Sequence, residues 1–405
     1  MIKQFFHKFL LRRHFWRYAT FSEVAEIYAS RTLRTMAINL AAALMSVYLY
    51  QNGYSILFIA GYWSVYYFLK IFMSLPCAKY VAHYGPKRAT LVSNLLYIPA
   101  LIAFAYIPEW GMYAMAITCL TQGASATIYD LSYLTNFSKV KSVEHAGREI
   151  AYMNIFEKIA TGLSPLIGGV VAFLFGPETT LWVASGLFLV ASLPLLATPE
   201  PVKTRQKLVF RGFPWKLTWR SLRAETAVGF DIVASGTVWS IFVVIGVLGM
   251  TGDDVYAKLG ALLTAVLLAA LASSYVYGKL IDRRRGGELL RYGVIAKSVT
   301  HAIRPFIGSV GGVVTMNAAN EFASTGYAMA FTRGIFDTAD VSGQRITYLG
   351  LINLTVNIGG FLSSLVWWLA IFVMNDALSG MSVYFFVCAV VVLFIAAPKF
   401  HLYQK

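Results

Sequence analysis

The sequence predicts an all-α polytopic membrane protein built from two pseudo-symmetric six-helix bundles, and three observations carry that prediction. First, 58% of the 405 residues are hydrophobic and only 13% are charged, with a mean hydropathy of +0.63. A soluble domain of that composition would expose more apolar surface than water tolerates. Second, about twelve apolar runs of roughly 20 residues, each able to cross a ~30 Å hydrocarbon core, recur along the whole length. Third, a basic, proline-containing connection divides those runs near the middle of the chain.

The runs lie at 33–52, 55–76, 88–107, 111–135, 149–174, 179–197, 226–250, 256–277, 289–309, 311–332, 345–372 and 378–397. They are continuous and lack period-2 alternation, which favours helices, whose backbone bonds are satisfied internally in lipid, over a β-barrel. The net charge of +15 is distributed by side. Lys3, Lys8, Arg12, Arg13 and Arg17 precede the first run, and the second, fourth, sixth and eighth connections are rich in Lys and Arg. The alternate connections carry Glu109, Glu178, Asp253, Asp254 and Asp376, with Lys258 as the basic exception. This is the positive-inside pattern: both termini are expected on the cytoplasmic side of the cytoplasmic membrane. The basic excess is therefore a topology signal whose expected partner is anionic lipid headgroups rather than nucleic acid.

"MIKQFFHKFLLRRHFWRY" lacks the uninterrupted apolar core and cleavage site of a secretory signal. Residues 1–30 read as a basic cytoplasmic segment, either an interfacial helix on the inner leaflet or a frayed tail. Cys77, Cys119 and Cys388 have no metal or redox spacing and read as small core residues. No cofactor or metal site is expected.

Residues 31–197 and 226–405 form the two expected bundles, joined by a linker over 198–225 that contains Pro199, Pro201 and Pro214. Internal similarity supports the division. "GREIAYMNI" from Gly147 in the fifth run resembles "GQRITYLGL" from Gly343 in the eleventh. Carrying the offset forward pairs Glu157 with Asn353, Thr161 with Asn357, Ser164 with Gly360 and Gly168 with Ser364, so each run has one polar or small stripe. A second pair of segments, "AKYVAHYGPKR" from Ala78 and "GKLIDRRRGGE" from Gly278, forms short basic inner loops.

Those loops, the span count and the bisecting linker resemble the major facilitator superfamily, whose inner-loop signature is G-x-x-x-D-R-x-G-R-R in each half. The second loop keeps Gly278, Asp282, Arg283 and a displaced Gly286. The first keeps Gly85, Lys87 and Arg88 but has Ala78, Ala82 and His83 where the family has Gly, Asp and Arg. The resemblance implies that these residues gate the cytoplasmic side, with the first latch weakened, and that the protein is a monomer.

Glu157 and Lys158 lie roughly 14 Å into the fifth run at about 1.5 Å per residue, near the bilayer midplane. Phe156, Ile159, Leu163, Leu166, Val170 and Phe173 form an apolar face, while Asn154, Glu157, Lys158, Thr161, Ser164, Pro165 and Gly168 form the other. Neighbours on a helix point about 100° apart, so Glu157 and Lys158 are expected to reach different partners. Glu321 has similar depth among Asn317, Asn320, Ser324 and Thr325. Lys70, Asp130 and Asp231 are expected nearer the inner face, Arg304 near the outer end in position to snorkel, and His83, His145 and His301 isolated. Asn39 marks a polar stripe on the first run.

A charge at such depth costs about 3 kcal/mol or more, and its default reading is recognition, ion coupling or proton relay. The expected function is secondary active transport of a small molecule by alternating access, with Glu157 and Glu321 as proton-coupling or binding acids. Lys158 is then a binding cation, and Asn317, Asn320, Asn353 and Asn357 are hydrogen-bonding groups. "SPLIGG" is similar to the antiporter motif G-P-x-x-G-G of the same superfamily, which implies efflux. An uncoupled facilitator, an uptake permease and a non-transporting sensor are the alternatives. A membrane enzyme is disfavoured because no nucleophile triad, HExxH or phosphate loop is present.

Overall fold

The computed structural model describes residues 21–140, 146–197, 199–200, 205–249, 254–265, 267–282 and 285–403. Most of the basic N-terminal segment, His145 and Arg283 lie outside the described residues, as do the side chains of Asn154 and Asp282. The described residues form long helices and no strand.

The first half consists of α1 (Phe21–Gln51), α2 (Ile56–Tyr84), α3 (Pro86–Ala105), α4 (Met112–Val140), α5 (Ala146–Phe175) and α6 (Pro177–Ser192). The second consists of α7 (Trp215–Val233, continued to Leu248), α8 (Asp254–Thr264 and Leu267–Asp282), α9 (Gly286–Ile303), α10 (Val310–Val341), α11 (Arg345–Met374) and α12 (Ala377–Val391). Among the described residues, nine helices are long and apolar enough to cross a membrane.

Local chemistry sets several boundaries. Ser55 accepts a hydrogen bond from the Phe58 amide to open α2, and Ser309 does the same for α10 through Gly312. Gly85 and Gly176, at φ +92° and +89°, turn the chain before Pro86 and Pro177, the first residues of α3 and α6. In the loop before α12, Asp376 accepts from the Ser379 amide at 2.7 Å. That bond holds its exposed carboxyl below the ordinary Asp range.

Two helices start earlier than the hydropathy runs indicate. Already helical at Phe21, α1 has no Gly or Pro to break it before residue 52. Pro214 immediately precedes α7, which begins at Trp215, inside the stretch read as a linker. Its first turns bury Thr218, Ser221, Leu222 and Glu225 and expose Lys216, Arg220 and Arg223, an amphipathic pattern that average hydropathy hides.

The packing repeats six helices later. In the first half α1 packs on α5 and α6, α2 on α4, and α3 on α4 and α6; in the second, α7 packs on α11 and α12, α8 on α10, and α9 on α10 and α12. The halves meet along two equivalent seams, α2 against α11 and α5 against α8. Small residues make both approaches close. A side chain at Gly169 would overlap the Tyr256 backbone of α8, and one at Gly260 would overlap the Pro165 carbonyl of α5. At the other seam, Gly360 receives the ring of Tyr67 and Gly350 faces the Ala78 methyl. The outward face of α5 carries Ile159, Leu163, Leu166, Val170 and Phe173, all exposed on the bundle exterior.

Within the second half, Gly229 of α7 meets the Val356 carbonyl, and Gly359 of α11 meets the Thr226 carbonyl. Gly229→Ala should therefore force α7 away from α11 and destabilise the protein by about 1–3 kcal/mol, whereas Gly186→Ala, into open space on α6, should be neutral or slightly stabilising. Thermal unfolding of the purified variants checks both.

Candidate substrate and coupling site

The helices that line the interface between halves bring their charged residues to one belt. Glu157 accepts a charge-assisted hydrogen bond from Arg31 of α1 at 2.6 Å. Lys158, on the next residue, turns across the interface to Glu321 of α10, also at 2.6 Å. The two neighbours thus reach different partners, as their angular separation requires. Glu321 also accepts from Thr325 at 2.7 Å.

Arg31 and Arg34 are the groups that hydropathy missed. Because α1 is helical from at least Phe21, both sit roughly 15–20 Å along it at about 1.5 Å per residue, well inside the bundle. Arg34 is 1% exposed. It donates to Asn94 at 2.7 Å and Ser125 at 3.3 Å, and its guanidinium lies 3.9 Å from the Tyr129 ring centroid. Arg31 stacks on Tyr133 at 3.4 Å. The Phe21–Asn52 stretch without a breaker was the sequence signal that could have placed them.

In the second half Asp231 organises a buried network. Its Oδ1 receives Lys297 at 3.2 Å, His301 at 2.7 Å and Ser235 at 2.9 Å, and its Oδ2 accepts from Tyr327 at 2.5 Å. Lys297 also donates to Ser235, Asn320 and Ser324 at 2.5–2.8 Å. Arg304 donates to Asn320 at 2.9 Å and reaches His301 Nδ1 at 2.9 Å. A neutral His301 that donates from Nε2 to Asp231 and accepts from Arg304 at Nδ1 satisfies both contacts.

Three expectations are corrected here. Asp231 lies midway along α7, since that helix begins at Trp215, and Lys70 lies at the centre of α2 rather than near the inner face. Arg304 does not snorkel: it is 0% exposed, enclosed by Trp239 and Phe385 with centroids at 4.9 and 5.4 Å, because α9 ends at Ile303 within the bundle. His301 is not isolated. Lys297, His301 and Arg304 recur at spacings of four and three, a cationic stripe that the sequence displays openly. Three residues beyond Asp231, α7 passes into a π-helical turn over Ala234–Val238, a feature that concentrates at functional sites.

The remaining candidates separate into those with partners and those without. Asn317 accepts from the Trp239 indole at 2.6 Å. Asn357 donates to Asn353 at 3.2 Å and, across the α2/α11 seam, to Ser74 at 2.9 Å. Asn39 donates to its own helix at Thr35, and Thr161 is half-buried on α5. Lys70 is only 6% exposed. Among the described residues no carboxylate comes within ion-pairing distance of it, and its nearest aromatic neighbours are Tyr66 and Tyr67 at 5.4 and 5.3 Å. Half-buried Asp130 lies within electrostatic reach of Lys70, Arg34 and Arg31. An apolar groove of about 600 Å³ between α2 and α4, lined by Phe58, Tyr62, Val65, Met112, Leu120 and Trp368, contains no charged group.

At the turn between α2 and α3, Gly85 admits the Glu200 carboxylate, which accepts from the Lys87 and Arg88 amides at 2.9 and 3.0 Å. The connection thus supplies an acid to a loop that has Ala82 in place of one. Arg205 and Gln206 donate to the His83 and Ala82 carbonyls, Val209 donates to Thr347 of α11, and Lys87 pairs with Glu26 at 2.7 Å. Gly278 is buried inside α8, and Gly286 opens α9 against the Tyr403 ring.

Comparison with known proteins completes the picture. The Major Facilitator Superfamily sequence profile matches residues 27–364. The chain belongs to the major facilitator superfamily. Its fold is similar to that of the human organic anion transporter MFSD10 (TETRAN), with TM-score 0.70, 12% identity, and coverage of 93% of this chain and 99% of that one. It is also similar to the E. coli fucose:proton symporter FucP, with TM-score 0.64, 15% identity, and coverage of 92% and 97%. FucP in its outward conformation gives TM-score 0.62. No curated protein sequence matches the chain. Superfamily membership makes this a multi-pass membrane transporter of small molecules, and it brings the two seams and the charged belt into one frame.

Two outcomes test the geometry. Lys158→Gln or Glu321→Gln alone leaves one buried charge uncompensated and should destabilise by about 3 kcal/mol. The exchanged pair, Lys158→Glu with Glu321→Lys, should restore most of the thermal stability. Glu200→Gln should loosen the connection, raising tryptic cleavage after the exposed Arg205 and Lys207 severalfold, as read by mass spectrometry.

Proposed function

We propose that the protein is a proton-coupled secondary transporter that exports a small molecule across the cytoplasmic membrane by alternating access, acting as a monomer with both termini cytoplasmic. The observation that carries this reading is the Lys158–Glu321 ion pair, which joins α5 of one half to α10 of the other at 2.6 Å near mid-depth. Any motion that parts the halves at this level has to break it. Protonating Glu321 removes its attraction for Lys158, so proton occupancy and closure of the interface become one linked equilibrium. Glu157, one residue away and held by Arg31, is the second candidate for the coupled proton. Asn154, Thr161, Asn317 and Asn320 lie along the same helices. Asn353 and Asn357 stand on α11 at positions equivalent to Glu157 and Thr161 of α5.

The Pro165–Gly169 stretch favours export. Gly168 and Gly169 bring α5 onto α1 and α8, which couples the bend of one helix to both its neighbours. Gly85, Lys87, Arg88, Gly278, Asp282, Arg283 and Gly286, in and beside the α2–α3 and α8–α9 turns, close the cytoplasmic side in this reading, where the basic groups also meet anionic headgroups.

The alternative is an uncoupled facilitator in which the ion pairs only fix helix packing. In proteoliposomes, Glu321→Gln should abolish stimulation of flux by a pH gradient while leaving counterflow at equal pH. Glu157→Gln is expected to lower the stimulation in the same assay. Wild-type gradient-driven transport in both variants would sink the coupling assignment, and ligand binding without counterflow would identify a sensor.

A further inference from the structure

Among the described residues, the belt carries more positive than negative charge. Its cations are Arg31, Arg34, Lys70, Lys158, Lys297 and Arg304, and its carboxylates are Asp130, Glu157, Asp231 and Glu321. Arg333, buried, and Asp337, half-buried on the same helix, add one charge of each sign and leave the surplus at two cations. Each half contributes one. In the first, Arg31 and Glu157 neutralise each other, and Asp130 is shared between Arg34 and Lys70. In the second, Asp231 answers Lys297, and Arg304 is surplus beside a neutral His301.

Within that surplus, one cation has no direct partner among the described residues. Arg34 and Arg304 are sealed within their half-bundles, each bonded to amide or hydroxyl groups and covered by aromatic rings. Lys70 is different: among the described residues its ammonium has no hydrogen bond and no carboxylate within ion-pairing distance. Gly123 of α4 lies against its aliphatic stem at the Cγ, and its ammonium sits 5.4 and 5.3 Å from the ring centroids of Tyr66 and Tyr67. A cation held in a low-dielectric interior without a direct counter-ion is stabilised by an anion that enters from outside.

We infer that the transported molecule is an organic anion, its acidic group bound by Lys70 and its body lying against Tyr66 and Tyr67. This rests on the transporter reading for what happens after binding, but not for the binding itself. The belt's field attracts the anion, Lys70 supplies the charge-assisted hydrogen bonds, and Asp130 disfavours a second negative group close to the first. Amines meet a net repulsion, and zwitterions gain at Asp130 only what they lose to the surplus.

Calorimetric titration of the full purified chain in detergent, at fixed pH and ionic strength, tests this directly. The probes are 3-phenylpropionate, 2-naphthoate and phenylphosphonate, with 3-phenylpropylamine as the cation and phenylalanine as the zwitterion. The anions should bind in preference to both others. Lys70→Gln should weaken them about ten- to a hundredfold, the loss of a hydrogen bond to a charged group. Lys70→Arg should retain most of the affinity, and Arg285→Gln, at an exposed surface pair, should change nothing. Preference for the amine or for phenylalanine, silence of all three anions, or anion binding indifferent to Lys70→Gln would overturn the assignment. Anion binding without flux in proteoliposomes would leave this site standing and remove the transport reading; flux of an amine without anion binding would do the reverse.

Discussion

A charge placed where water cannot solvate it has to be answered by other charge or by a dense set of dipoles, and the centre of this protein is arranged by that constraint. Seven helices, α1, α2, α4, α5, α7, α9 and α10, each place charged residues in the interior. Their pairings, Arg31 with Glu157, Lys158 with Glu321, and Lys297 with Asp231, dictate which faces of those helices turn inward. The polar residues around them follow from the same need. Asn320, Ser235, Ser324 and Tyr327 exist at the positions where Lys297, Arg304 and Asp231 have lone pairs or protons left over. Removing one charge therefore disturbs several helices at once, whereas an apolar substitution on the lipid face disturbs one.

The seams supply the complementary constraint. Glycines at 169 and 260 let α5 and α8 touch backbone to backbone, and Gly350 and Gly360 do comparable work for α11 on α2. The first contact is backbone on backbone, with few side chains between, whereas at the second the Tyr67 ring fills the space that Gly360 leaves open. The ion pair of Lys158 with Glu321 stands on α5, the helix that forms the seam with α8, and reaches past that seam to α10. The pair thus ties the halves a second time beside that seam, and the connection around Glu200 and Val209 bonds to α3 of one half and α11 of the other.

Much of this was legible in the sequence. The run of long apolar helices, the two-half division, the polar stripe on α5 and the inward facing of Glu157, Lys158 and Glu321 all follow from hydropathy and helical periodicity, because those properties depend on residues close together in the chain. What escaped was set by helix starts and by long-range pairing. Average hydropathy discards amphipathic first turns, so the early starts of α1 and α7 were lost, and with them the depth of Arg31, Arg34 and Asp231. His301 and Arg304 were judged one at a time, although with Lys297 they form a single stripe. The partner of a buried charge lies on another helix, 126 residues away for Arg31 and Glu157, and no local pattern states it. The acid that Glu200 brings to the loop at Ala82 was hidden for the same reason.

The repeat is kept in the packing and broken in the chemistry, and the difference has a mechanical sense. Glu157 of α5 corresponds to Asn353 of α11, so one helix of the equivalent pair carries charge and the other an amide. Across α2 and α11 the halves are joined by Asn357 donating to Ser74 at 2.9 Å, a neutral bond indifferent to protons and to the sign of a bound ligand. Across α5 and α10 they are joined by a carboxylate and an ammonium, whose attraction vanishes when either is neutralised. Two seams of equal geometry thus answer differently to the same event. In the proposed cycle the amide side is the one that can stay engaged, and the charged side is the one that a proton or a charged ligand can release.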